Sequence, residues 1–105
     1  MNRIRTAAMI LLAASIAAPA FAQSAGADTY KAKCAMCHGP DGAAAVPMGK
    51  MYKIPPFKDP AIIKSSDAEL SAITKDGKGK MPAYNGKLTD AQIKEVVSFI
   101  RTLQK

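Results

Sequence analysis

Two cysteines separated by two residues and followed at once by a histidine, Cys34-Ala35-Met36-Cys37-His38, constrain this chain more than any other feature in it. That spacing is the attachment signature of a c-type haem. One helical turn presents both sulfurs to two vinyl groups of a porphyrin, and the next imidazole then falls under the iron. The same five residues could also form a redox dithiol or half of a zinc site. A redox dithiol belongs inside a βαβ pattern, and a structural zinc needs a fourth ligand that two cysteines and one histidine do not provide. Cys34 and Cys37 are therefore read as thioether attachment points for one covalent haem, and His38 as its proximal iron ligand.

The N-terminus bears on where the protein works. Arg3 and Arg5 precede an apolar run from Ala7 to Ala18, and Ala20-Phe21-Ala22 places small residues at the positions a signal peptidase reads. Residues 1–22 are expected to be a cleaved secretory leader, residues 23–105 the folded domain, and the protein periplasmic. The alternative is a retained membrane anchor. Against it, the apolar run is shorter than the roughly 18–20 residues that span a bilayer. A domain of this size has a marginal apolar core by itself, and a buried macrocycle would supply much of what it lacks.

Downstream of the leader the hydrophobic periodicity is helical and strand signals are absent, so the fold class is all-α. A first helix is expected from about Gly26 or Asp28 into Cys34, with Tyr30 one turn before the first cysteine on the same face. Gly39 to Pro60 contains three glycines and five prolines in 22 residues, which predicts a loop wrapping one haem edge. Order resumes at Asp59. Ser66-Asp67-Ala68-Glu69 and Thr89-Asp90-Ala91-Gln92 have the form of capping boxes opening two further helices, the first ending near Gly77. Ile93, Val96, Val97, Ile100 and Leu103 form one apolar stripe on the last helix. Ordinary core packing against the first helix and the haem accounts for that stripe.

The iron's sixth position decides its chemistry, and the chain has no second histidine. A methionine sulfur is the natural occupant, and His/Met ligation raises the reduction potential. Met36 lies within the attachment turn. Met48 and Met51 follow His38 by only 10 and 13 residues, which leaves little chain to pass the haem edge. Met81, 43 residues downstream, sits in Gly77-Lys78-Gly79-Lys80-Met81-Pro82, whose glycines allow a sharp inward bend. Met81 is read as the distal ligand, and Met48 and Met51 as packing residues.

These motifs together resemble the class I mono-haem cytochromes c over residues 24–105. Met81-Pro82-Ala83-Tyr84 followed by Gly86-Lys87-Leu88-Thr89-Asp90 is similar to the distal region of the small soluble cytochromes of cyanobacteria, algae and many other bacteria. The resemblance implies about four helices wrapped around the haem, the terminal pair crossing at Gly26 and Tyr30 against Val96 and Phe99. It implies that the Pro47 carbonyl accepts a hydrogen bond from the proximal imidazole, and that Tyr84 packs on the haem. Haem attachment outside the cytoplasm, as the family has it, agrees with the leader. The chain also departs from the pattern. The loop after His38 is short, the usual proximal Gly-Pro-x-Leu reads Val46-Pro47-Met48, and no tryptophan is present. Tyr52, Tyr84 or a backbone amide is expected to meet the haem propionate instead.

The function implied is one-electron transfer in a periplasmic electron transport chain, by an iron that keeps both ligands and transforms no substrate. A haem-bearing subunit or partner of a larger oxidoreductase or oxidase would use the same residues, and a haem peroxidase or gas sensor would need an open distal site. The formal charge is +7; taking Arg3 and Arg5 from 15 basic residues leaves 13 against 8 acidic, or +5. Lys75, Lys78, Lys80 and Lys87 surround the Met81 segment. They are either a solubilising face or a docking patch for acidic redox proteins, the donors and acceptors of a monomeric carrier. Nothing in the pattern suits nucleic acid or stable membrane insertion.

Overall fold

A computed structural model describes residues 17–105, with side chains from residue 24. Helices α1 (Ala17–Lys33), α2 (Ala35–His38), α3 (Pro47–Met51), α4 (Pro60–Lys64), α5 (Asp67–Asp76) and α6 (Asp90–Thr102) follow in order. Among the described residues there is no strand, only isolated bridges pairing Lys78 with Met81 and Asn85 with Leu88. The all-α expectation holds, with three single-turn helices beyond the long ones. Residues 1–16 of the expected leader lie outside the described residues.

α1 starts well before Gly26, the earliest start expected from the pattern. Alanines carry high helix propensity through this stretch. The other correction is α3, which interrupts the predicted wrapping loop. Pro47 stands at its N-terminus, where the ring's fixed φ favours a helix start. Gly49 at its centre is buried, and a Cβ there would run into the Ala44 carbonyl and come within 2.7 Å of the Cys37 carbonyl oxygen. The helix thus lies directly on the attachment turn, a tertiary contact that local sequence does not announce.

The caps form as the residues suggest, one of them by half. Thr89 accepts from the Gln92 amide at 3.1 Å while Gln92 Oε1 accepts from the Thr89 amide at 2.9 Å, a complete capping box. Ser66 accepts from the Glu69 amide at 3.1 Å. Asp59 caps α4 by accepting from the Ala61 amide, and α5 ends at Gly77, whose φ is +78°.

α1 and α6 cross to make the core. A Cβ at Gly26 would overlap the Glu95 carbonyl oxygen, 2.8 Å from that carbonyl's carbon and 3.2 Å from Phe99 Cβ, so the two backbones meet where only a glycine fits. Tyr30 is 2% exposed, with its ring 5.1 Å from that of Phe99 and packed with Phe57, Val96 and Ile100. Ile93, Val96, Val97 and Ile100 of the α6 stripe are buried, and Leu103 packs half-buried against them.

The C-terminus is clasped to the middle of the chain. Arg101 donates to Asp67 Oδ1 at 2.8 Å, to the carbonyls of Ile62 and Ser65, and to Gln104 Oε1. Gln104 Nε2 in turn donates to the Phe57 carbonyl at 3.0 Å. These bonds fix α4, the start of α5 and the segment around Phe57 against α6.

Candidate haem site

α1 ends at Lys33, and the chain turns at Cys34 into the single turn of α2. The Cys37 and His38 amides donate to the Cys34 carbonyl at 3.2 and 3.0 Å, and Cys34 donates to the Tyr30 carbonyl at 2.8 Å. The turn is locked from behind by the Tyr30 hydroxyl, which donates to the buried Gly39 carbonyl at 2.6 Å. Gly39, with φ +80°, lets the chain leave immediately after His38. Backbone hydrogen bonds therefore hold both sulfurs and the imidazole on one tight turn.

The chemistry of these groups favours attachment over metal or redox use. Both thiols are free and half-buried. Burial, and secondarily the charge of Cys37, pushes the Cys34 thiol up to about 11, so it stays a protonated thiol rather than a thiolate. Among the described residues no group of three or more His, Cys, Asp or Glu side chains could hold a metal ion. Burial lowers the His38 pKa, keeping the imidazole neutral with a lone pair to give.

Behind His38 lies Phe57, its ring stacked on the imidazole at 4.7 Å between centroids and 18° between planes. His38 Nδ1 is buried and has no hydrogen-bond partner among the described residues. Pro47 starts the helix that packs on the attachment turn through Gly49.

The segment carrying Met81 follows α5. Lys78 and Met81 exchange backbone bonds at 3.1 and 2.9 Å, closing a tight turn over Gly79-Lys80. Gly77 permits it: a Cβ there would stand 2.8 Å from the Met81 carbonyl oxygen and 2.9 Å from the Ala83 nitrogen. Met81 is half-buried, whereas Met36 and Met51 are 74% and 67% exposed. Tyr84 Oη donates to the Lys33 carbonyl at 2.9 Å, tying this segment to the residue before Cys34. Burial, with smaller contributions from Cys34 and Cys37, raises the Tyr84 phenol above its ordinary value. Tyr52 is 38% exposed, with Lys80 Nζ 5.9 Å from its ring centre.

Local sequence reading missed the Phe57 stack and the Tyr84 tie, which join residues 19 and 51 positions apart. The aromatic residue between Pro56 and Lys58 was the available signal for the first. Two free thiols on one turn, a buried neutral imidazole with an unsatisfied nitrogen and a half-buried thioether on a segment tied to that turn fit a covalently attached haem.

Comparison with known proteins agrees with a covalently attached haem. The family described as cytochrome c oxidase, cbb3-type, subunit III matches residues 21–100. A cytochrome c6 of Picosynechococcus sp. is 33% identical over 111 residues, covering 95% of this chain and 92% of that protein. A cytochrome c6 of Synechococcus sp. is 32% identical over 94 residues, covering 88% of this chain and 81% of the other. The cbb3-type cytochrome c oxidase subunit FixPc of Rhizobium leguminosarum is 32% identical over 81 residues, 75% of this chain and only 27% of that subunit.

Proposed function

The chain belongs to the class I mono-haem cytochromes c, and from that membership we propose that it is a freely diffusing one-electron carrier with His38 and Met81 as axial ligands. The haem supplies the redox chemistry by taking up and releasing a single electron. Cys34 and Cys37 would hold the porphyrin through thioether bonds, and His38 would offer a neutral imidazole to the iron. Met81 offers a thioether sulfur, which favours the ferrous state and a positive potential.

One observation carries this reading: the Tyr84 to Lys33 hydrogen bond secures the Met81 segment to the attachment turn, so both ligands belong to one fixed frame. A fixed frame limits rearrangement between the two oxidation states, and Met81 on the sixth position would leave none open for a substrate. The near-complete mutual coverage with cytochrome c6 favours a separate small carrier. The FixPc match keeps a second reading, in which the same domain serves a larger oxidase as a haem-bearing subunit.

Redox proteins are the donors and acceptors. Exposed Lys78, Lys80 and Lys87 supply the positive rim for docking them, while Lys75 is engaged by Asp90 at 3.3 Å. Export through the residue 1–22 leader would put the protein in the periplasm. Among the described residues no helix is long and apolar enough to cross a membrane.

An optical spectrum of the exported protein, ferric and then dithionite-reduced with carbon monoxide added, tests the proposal. Low-spin bands, a sulfur-to-iron band lost in Met81→Ala, and no response to carbon monoxide are expected. High-spin bands or prompt carbon monoxide binding would overturn it in favour of a sensor or peroxidase.

A further inference from the structure

The turn that carries Met81 is tied on its far side by Tyr84, and its near side meets a second aromatic residue. Lys80, the residue before Met81, holds its Nζ 5.9 Å from the ring centre of Tyr52, within reach of an attraction between an ammonium and an aromatic face. Of the three tyrosines in the chain, Tyr30 and Tyr84 donate their hydroxyls to the carbonyls of Gly39 and Lys33. What Tyr52 offers its neighbour is the face of its ring. We infer that Tyr52 is a positioning residue for the distal ligand: through Lys80 it clasps the Met81 turn to α3 and slows the departure of the methionine sulfur from the iron. The inference rests on Met81 being that ligand.

The backbone around Tyr52 is built to hold the ring still. Tyr52 is the C-cap of α3, and its amide donates to the Met48 carbonyl at 3.0 Å. The next two residues close the helix end, Lys53 donating to the Lys50 carbonyl at 3.3 Å and Ile54 to the Gly49 carbonyl at 2.9 Å, the paired bonds of a Schellman motif. That motif needs a left-handed residue at position 53, where glycine is the usual occupant, and here a lysine takes φ +54° at some cost. Such strain persists where the surroundings over-determine the backbone. They do so here, because Gly49 lets α3 lie directly on the carbonyls of Ala44 and Cys37. A stiff path therefore runs from the attachment turn through Gly49 and α3 to the Tyr52 ring. Lys80 is held in turn by the bonds that Lys78 and Met81 exchange at 3.1 and 2.9 Å. The two ties act on opposite flanks of the ligand, Lys80 just before Met81 and Tyr84 three residues after it. With Tyr52 38% exposed, the attraction is screened by water, and the effect expected on opening of the turn is about two- to fivefold.

The test uses ferric holoprotein variants and imidazole as the entering ligand, with the rate of methionine displacement read from loss of the sulfur-to-iron band. Tyr52→Leu, which removes the aromatic face, and Lys80→Gln, which removes the cation, should each raise the rate about two- to fivefold. The double variant should be no faster than the faster single one, whereas independent effects would multiply. Tyr52→Phe and Lys80→Arg keep the face and the cation, and both should retain the wild-type rate. If Tyr52→Leu fails to assemble, the pair at exposed Lys80 decides the question, Gln fast and Arg slow. Multiplying effects in the double variant, an unchanged rate in Lys80→Gln, or a rate in Tyr52→Phe as high as in Tyr52→Leu would overturn the inference. A wild type without the sulfur-to-iron band would instead overturn the function proposed above, and this inference with it.

Discussion

Gly26→Ala is the sharpest test of how this fold is held together, because two effects of opposite sign can be weighed. Alanine in a helix interior is favoured over glycine by about 1 kcal/mol. Against that, the new Cβ would overlap the Glu95 carbonyl oxygen and stand 2.8 Å from its carbon, where contact needs roughly 3.5–4.0 Å. Backbone atoms of α6 have no rotamer with which to yield. The α1–α6 crossing must therefore open by about 1 Å, loosening Tyr30, Val96 and Ile100 together. Overpacking of this kind costs about 1–3 kcal/mol, and a rigid obstacle puts it at the upper end. Net destabilisation of about 2 kcal/mol is expected, or about 8–16 °C in Tm for a domain of this size. Guanidinium unfolding of the ferric holoprotein, followed by circular dichroism, measures it, with exposed Ser98→Ala as a control expected within about 0.5 kcal/mol of wild type. A Gly26→Ala protein as stable as wild type, or more so, would refute the close crossing.

The remaining predictions concern single bonds. Tyr30→Phe leaves the buried Gly39 carbonyl with only the Gly42 amide at 3.2 Å and should cost about 1 kcal/mol at neutral pH. Burial is the main reason the Tyr30 phenol is raised above its ordinary value of 10.0, so the folded state keeps a proton that the unfolded state gives up. That contribution is present in full below pH 10 and is lost as pH rises further, and denaturation between pH 9 and 11 should show a downward slope that Tyr30→Phe lessens. Arg101→Ala should cost about 2 kcal/mol in urea unfolding, because it strips donors from the Ser65 and Ile62 carbonyls. Asp67→Asn should cost about 0.5 kcal/mol in the same assay, since its carboxylate is 72% exposed. Thr89→Ala removes the side-chain acceptor of the Gln92 amide at the α6 cap and should lower thermal stability by about 1 kcal/mol, and Ser66→Ala, which removes the equivalent acceptor of the Glu69 amide, should cost a similar amount.

The features legible in the sequence are those whose causes lie within a few residues. The Cys34-Ala35-Met36-Cys37-His38 turn, the caps at Ser66 and Thr89, the Gly77 stop and the α6 stripe each follow from hydrogen-bond chemistry or periodicity inside one helical turn or one helix. α3 was not legible, because Pro47 marks a possible start while its reason to form is the approach of Gly49 to Cys37 and Ala44.

By itself, the sequence determined the attachment turn and the all-α class, because covalent spacing and helical period are local properties. Tertiary structure alone decided which surfaces meet: Phe57 against His38, Tyr84 across to Lys33, and Arg101 and Gln104 across to α4, α5 and Phe57. Those contacts join segments 19 to 51 residues apart, and they arise when a small core closes as a unit and each side chain settles where its neighbours leave room.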